Sequence, residues 1–124
     1  MRTAAQALGD DAENAVAAML RAAGWTVLGR NVRIGRGELD LVAMDPGPPP
    51  QLVIVEVRWR RSRAFGLAEE TVDHRKRAHL RAAIGRLIDD GLPDGSPAPA
   101  LPIRVDLVVV EPPSRIRHHR AIEL

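Results

Sequence analysis

GELDLVAMDPGPPPQLVIVEVRW, residues 37–59, is the stretch whose reading decides the fold. It holds two runs of strand-forming residues, Glu38 to Met44 and Leu52 to Trp59, on either side of Asp45-Pro46-Gly47-Pro48-Pro49-Pro50. Proline lacks the ladder donor and fixes its own φ, so the middle segment is a connection and the flanks form a hairpin. Residues two apart in a strand share a face. Glu38 and Asp40 are therefore expected on one face, with Leu39, Leu41 and Ala43 on the other. In the next strand Glu56 and Arg58 are expected opposite Val53, Val55, Val57 and Trp59. A hairpin centred near residue 48 sets Asp40 across from Glu56, Val42 across from Ile54 and Glu38 across from Arg58. That register keeps the apolar sets on matching faces, the usual reason one register wins.

Upstream, Ala12, Ala15, Val16, Met19, Leu20 and Ala23 recur at helical spacing, which predicts a helix from Asp10 to Ala23 that Gly24 ends. Trp25 to Asn31 reads as a short strand, and Gly35-Arg36-Gly37 as the turn into the hairpin. Downstream, a basic loop from Arg60 to Glu70 leads to a second helix starting near Thr71. It packs through Val72, Leu80, Ala83, Ile84, Leu87 and Ile88 and stops at Gly91 and Pro93. Leu92 to Ala100 is a linker, Ile103 to Val110 a further strand, and the tail from Ser114 to Leu124 carries no assignment. The order α-β-β-β-α-β describes one small α/β domain with a sheet held between helices.

At 124 residues the chain has room for one domain. The absence of cysteine excludes disulfide scaffolds, thiolate zinc sites and cysteine nucleophiles. No apolar run approaches the ~18 residues of a membrane span, and the first residues lack a secretory h-region, so the cytoplasm is expected. Net charge is +2, but of 18 Lys+Arg only Lys76 is lysine, and the pI is near 10.3. Arg58, Arg60, Arg61 and Arg63 lie within six residues, followed by Arg75, Lys76, Arg77 and Arg81. Such segregation suits a polyanion, although an arginine-rich solvated face would look the same. Two tryptophans, one phenylalanine and no tyrosine leave little for base stacking.

Asp40 and Glu56 side by side would repel by roughly 3 kcal/mol at ~5 Å and an effective dielectric near 20. A divalent cation offsets this, and Mg²⁺ typically takes one or two carboxylates together with waters and substrate phosphate oxygens. Pairing of Arg58 with Glu38 or Glu56, with no metal, offsets it equally well at this stage. Asp10-x-x-Glu13 fits a capping box at the start of the first helix, while Glu13 also lies beside the Val16 and Leu20 edge that faces the sheet.

Gly9 to Glu13 with Ala15, Gly24-Trp25, Arg30-Asn31, Gly37 to Val42, Val55-Glu56-Val57-Arg58, Phe65-Gly66, Lys76 and Arg104-Val105-Asp106 together resemble the YraN family. These small bacterial proteins are similar to archaeal Holliday junction resolvases and the PD-(D/E)XK nuclease superfamily. The resemblance covers about residues 8–110, and implies a single nuclease-like domain over residues 1–124 with its core there, a tail from 111 to 124 and a mixed central sheet flanked by helices. It implies a restriction-endonuclease-like fold with a catalytic set of Glu13, Asp40, Glu56 and Arg58. Within it, Asp40, Glu56 and the Val57 carbonyl would hold Mg²⁺ or Mn²⁺. It further implies a DNA endonuclease acting on branched DNA such as Holliday junctions, with Arg60, Arg61, Arg63 and Lys76 on the nucleic-acid backbone and a homodimer matching the paired cuts of a four-way junction. Arg58 departs from the pattern, which has lysine there. Arginine cannot act as a base near neutrality but can hold a phosphate or orient a water. Lys76 is a candidate to replace that lysine in space. A DNA-binding accessory protein with a degenerate site is the competing expectation.

Other motifs fail on spacing. Gly35-Arg36-Gly37 begins like a dinucleotide fingerprint, but Asp40 stands at the third glycine position and a strand follows. His74 and His79 do not converge on a helix, and His118 and His119 diverge in an extended chain, so neither pair makes a zinc site. No serine sits at a strand-to-helix elbow.

Overall fold

Thr3 caps the first helix, α1 (Ala4–Ala22), by accepting the Gln6 N–H at 3.1 Å, while the Gln6 side chain accepts the Thr3 N–H at 2.8 Å. This reciprocal box starts the helix nearly two turns before the expected Asp10, so Asp10 and Glu13 lie within the helix and do not cap it. In this computed structural model, which describes residues 3–60, 72–111 and 115–124, the remaining elements follow in order. They are β1 (Thr26–Ile34), β2 (Gly37–Asp45), β3 (Gln51–Trp59), α2 (His74–Asp90), β4 (Ile103–Glu111) and β5 (Arg115–His119).

The five strands form one mixed sheet in the order β1-β2-β3-β4-β5. All neighbours are antiparallel except β3 and β4, which run parallel and are joined through α2. The β5 strand lies in the tail that the sequence left unassigned. Leu52 to Glu56 on β3 are all buried, as expected of a central strand covered on both faces.

The helices pack on opposite faces. Val16, Leu20 and Trp25 on the α1 side meet Leu41, Val53, Val55 and Val108. Leu80, Ala83 and Leu87 of α2 meet Val42, Leu52, Ile54 and Leu39 on the other. Each fully buried Leu or Ile contributes about 1.5–3 kcal/mol.

The structure corrects expectations about faces in both elements that flank the site. Leu39 packs on the α2 side while Leu41 and Ala43 pack on the α1 side, so alternation breaks between Leu39 and Leu41. The β2–β3 ladder ends at Leu41 and Val55, and beyond it the Asp40 side chain takes a β3 amide, releasing β2 from the pleat. In the second helix Asp73 accepts the Lys76 N–H at 3.0 Å and sets the start at His74. Val72 is thereby outside the helix, buried against Leu107 and Val109, and Thr71 lies outside the described residues. Ile88 is 57% exposed, because Leu80, Ala83 and Leu87 already define the buried stripe and Ile88 sits about 100° round from Leu87.

Candidate metal centre

Val42 faces Ile54 in the β2–β3 hairpin, as the register predicts, and the last paired residues toward its open end are Leu41 and Val55. One step further the register brings Asp40 opposite Glu56. There Asp40 Oδ2 accepts the Val57 N–H at 2.8 Å, taking the place of a main-chain carbonyl. The expected pairing of Glu38 with Arg58 does not occur, since Glu38 lies beyond the end of that ladder and pairs with Arg33 of β1.

Glu56 is 1% exposed, and its two oxygens differ. Oε1 accepts Arg58 Nη1 at 2.7 Å and Lys76 Nζ at 2.9 Å. Oε2 is buried with no hydrogen-bond partner among the described residues. An orphaned carboxylate oxygen is costly unless something outside the chain occupies it. Burial, and then the charge of Glu56, push the Asp40 carboxyl up to about 7, against the opposing effects of the Val57 N–H and the Lys76 ammonium.

Glu13 completes the group from α1. Its charge also raises Asp40, and burial raises its own pKa against a hydrogen bond from Asn31 and the charge of Arg30. Glu13 Oε2 is likewise buried and, among the described residues, without a hydrogen-bond partner. Asn31 stands at φ 49°, a left-handed conformation that asparagine tolerates better than most residues, within β1. Arg30 is held by Asn14 Oδ1 at 2.6 Å. Glu13 Oε2 and Glu56 Oε2 are thus two buried carboxylate oxygens without hydrogen-bond partners among the described residues, and the Asp40 carboxyl has its pKa raised to about 7. Among the described residues no three His, Asp or Glu side chains form a ready-made cage.

Residues 12–110 match the model of the uncharacterised protein family UPF0102. The chain is 42% identical over 105 residues to a UPF0102 protein of Symbiobacterium thermophilum, covering 85% of this chain and 82% of that one. It is 33% identical over 117 residues to one of Erythrobacter litoralis, covering 94% and 92%. It is 45% identical over 84 residues to one of Sorangium cellulosum, covering 68% of this chain but 56% of that longer protein. The chain belongs to the UPF0102 family. The matched span of this UPF0102 protein contains every residue of the carboxylate group together with Arg58 and Lys76.

Lys76 is where sequence spacing says least and the fold says most. Its ammonium reaches Glu56 from the first turn of α2, on the same oxygen as Arg58. Arg60 donates its main-chain N–H to the Val110 carbonyl at 2.9 Å, and its Nε is buried without a hydrogen-bond partner. Arg61 and Arg63 lie outside the described residues.

Two features of the UPF0102 chain escape sequence reading. The Asn31 bond to Glu13 has only the Arg30-Asn31 pair as its signal. A second buried carboxylate, Asp106, accepts Arg104 Nε at 2.8 Å, Arg104 Nη2 at 3.0 Å, His118 Nε2 at 2.8 Å and the Ala121 N–H at 2.9 Å. Burial alone would raise Asp106, but His118, Arg104 and the Ala121 amide together hold it below the usual carboxylate range. Arg104 also reaches Asp45 at 3.1 Å and lies over the Trp25 ring at 5.4 Å. Among the described residues, no helix is long and apolar enough to cross a membrane.

Proposed function

We propose that this UPF0102 protein is a metal-dependent DNA endonuclease of restriction-endonuclease-like fold, cutting branched DNA such as Holliday junctions in the cytoplasm, as a homodimer on paired sites. The observation that carries the reading is the Glu56 carboxylate, buried and saturated on Oε1 yet unpartnered on Oε2, next to Asp40 at the splayed end of the β2–β3 hairpin. A site built only for stability would close both oxygens, as Asp106 does. The resemblance to PD-(D/E)XK nucleases supplies the reaction class.

Asp40 and Glu56, with the Val57 carbonyl, would hold Mg²⁺ or Mn²⁺. A bound ion would supply Lewis acidity toward the scissile phosphate and a water of lowered pKa. Asp40 would have to give up the proton that burial favours in order to ligate it. Glu13 holds a water or a proton at its free Oε2 on the α1 side. Arg58 and Lys76 share Glu56 Oε1, so both cations are fixed where negative charge develops on a phosphate. Lys76 thus supplies, from α2, the ammonium that the E-x-K pattern places two residues after the glutamate. Arg58 supplies a fork of donors that cannot lose its proton. The neighbouring arginines Arg60, Arg61 and Arg63 take the backbone, which gives affinity without sequence preference.

Arg58 in the lysine position also supports a second reading, a DNA-binding accessory protein without turnover. Wild type, Asp40→Asn, Lys76→Gln and Arg58→Lys are incubated with labelled four-way-junction, flap and linear DNA in Mg²⁺ and in Mn²⁺. The nuclease reading expects cleavage by wild type, none by Asp40→Asn, and a loss on the order of 10²-fold in Lys76→Gln, the scale of removing one stabilising donor. Cleavage only by Arg58→Lys, or salt-sensitive binding without cleavage by any form, gives the second reading instead. Cutting that survives in Asp40→Asn sinks the site assignment.

A further inference from the structure

The turn Gly35-Arg36-Gly37 has no part in the carboxylate site, yet it is built for something. It stands against α2 and encloses a cleft of about 330 Å³, lined by Ile34, Arg36, Ala82, Ala83, His79 and Arg86 with the two turn glycines. Its floor is small and apolar, and its polar side chains are two arginines and a histidine, with no acid among the lining residues. Arg36 makes no ion pair among the described residues. Arg86 pairs with Asp90 at 3.3 Å, with both side chains about 60% exposed, a pairing that solvent screens to little effect.

The turn backbone is fitted to the arginine. Gly35 has φ +60°, and a Cβ there would stand 3.7 Å from the Arg86 guanidinium. Gly37 comes close enough that its Cβ would meet Ala83 Cβ at 3.9 Å. The positive φ of Gly35 favours glycine there, and the positive charge at the walls meets no acid among the lining residues, Asp90 pairing with Arg86 from outside that lining. Positive walls over a low-dielectric floor concentrate anions.

The cleft is also in line with the candidate metal centre. His79 and Arg86 follow Lys76 at i+3 and i+10, about 60° and 80° round the helix from it, on one edge of the stripe that α2 buries. At 1.5 Å per residue, Arg86 lies ~15 Å along the helix from Lys76, and Lys76 binds Glu56. Phosphates of one strand recur every ~3.4 Å of axis and wind about it, so that span covers a few nucleotides.

We propose that this cleft, between the β1–β2 turn and α2, is a phosphate subsite. It takes a non-scissile backbone phosphate of the same DNA strand whose scissile phosphate lies at Asp40 and Glu56, a few nucleotides from the cut. The inference rests on the nuclease reading for its direction and reach. The cleft itself calls for an anion of phosphodiester size, bound by Arg36 and Arg86 with His79 alongside.

Arg36→Ala, Arg86→Ala and the double variant are compared with wild type and with Arg21→Ala, an exposed arginine at the end of α1 on the opposite face of the sheet. Affinity for a labelled four-way junction is measured across a salt series in Ca²⁺, and single-turnover cleavage at saturating DNA in Mg²⁺. Each subsite variant is expected to bind several-fold more weakly at 0.1 M salt. The slope of log K against log salt should fall by about 0.9 for each phosphate that the protein no longer neutralises. The cleavage rate at saturation should hold, and Arg21→Ala should leave the slope unchanged. A single methylphosphonate moved along the strand should weaken wild-type binding most at one position a few nucleotides from the cut, and should cost Arg36→Ala,Arg86→Ala nothing at that place. Slopes that fall no more than in Arg21→Ala overturn the subsite. Tight salt-dependent binding that needs Arg36 and Arg86 but brings no cleavage keeps the subsite and discards the nuclease reading. Wild type that binds no DNA discards both.

Discussion

Glu56 and Asp106 are carboxylates on adjacent parallel strands, nearly level in register, and both are closed to solvent. Their surroundings are opposite. Asp106 receives donors on both oxygens, from a guanidinium, an imidazole and a main-chain amide, and it ties β4 to β5 and to the chain after it. Glu56 receives two cations on one oxygen and nothing on the other, with Asp40 beside it. A buried charge completed within the chain is architecture, whereas one left half-completed retains binding capacity that a ligand can use. Depth of burial does not separate them; the count of donors on each oxygen does.

The comparison breaks most visibly if Asp106 loses its guanidinium. Arg104→Ala leaves Asp106 and Asp45 underpaired in the interior and should cost about 3–5 kcal/mol in urea unfolding. A loss under about 1 kcal/mol would mean that Arg104 is not what makes Asp106 tolerable. Because the folded pKa of Asp106 is depressed, its contribution is fully present above its ordinary value near 3.8 and is lost as pH falls through the lower folded value.

Asp40 carries the reverse sign. Its folded pKa of about 7 lies above the ordinary 3.8, so between these values the folded protein binds more protons than the unfolded chain. Stability of the metal-free protein must therefore decline as pH rises through that window. Asp40→Asn removes the decline, and should be more stable than wild type by roughly 2–4 kcal/mol at pH 8 while matching it near pH 4, read from unfolding curves at each pH. Parallel curves for the two proteins would show that Asp40 ionises freely.

Metal sharpens the contrast. A cation bound at 100 times its dissociation constant should stabilise wild type by about 2.7 kcal/mol, and Glu56→Gln should lose that gain in calorimetry while Arg104→Lys keeps it. Equal stabilisation of wild type and Glu56→Gln by Mg²⁺ would place the ion elsewhere. The smallest effect is expected far from both carboxylates. Thr3→Ala removes the α1 cap and should cost about 1 kcal/mol, with no change in metal binding.

Much of this was legible in the chain, for physical reasons that vary by element. The β2–β3 hairpin was, because its apolar alternation and proline-rich turn agree on one register, and Leu41 to Asp45 pair accordingly. Alternation could not foresee Leu39 on the α2 side, because a side chain replaces a main-chain acceptor at Asp40, and periodicity treats every residue as ladder. The start of α1 was misplaced because Asp10-x-x-Glu13 and Thr3-x-x-Gln6 both satisfy the capping pattern, and the alanines after Thr3 carry no apolar stripe to mark them. Asp40 and Glu56 as neighbours followed from register alone. That Lys76 joins them did not, since a helix twenty residues later meets the strand only through packing. The tail offered five residues of Arg, Ile and His with no alternation of apolar type, and its strand is fixed by partners on β4 and by Asp106.

The spatial order of the strands repeats their order in the chain, with a single crossover between β3 and β4. Most strand pairings then close short loops, which is the topology of quick folding. Asp40 and Glu56 are joined by one hairpin, so they can meet early, before α2 has docked. Lys76 arrives only when the crossover is complete. The order of assembly thus brings two acids together first and their cation second, and a transition state mapped residue by residue should show Val42 and Ile54 structured ahead of Leu80 and Leu87.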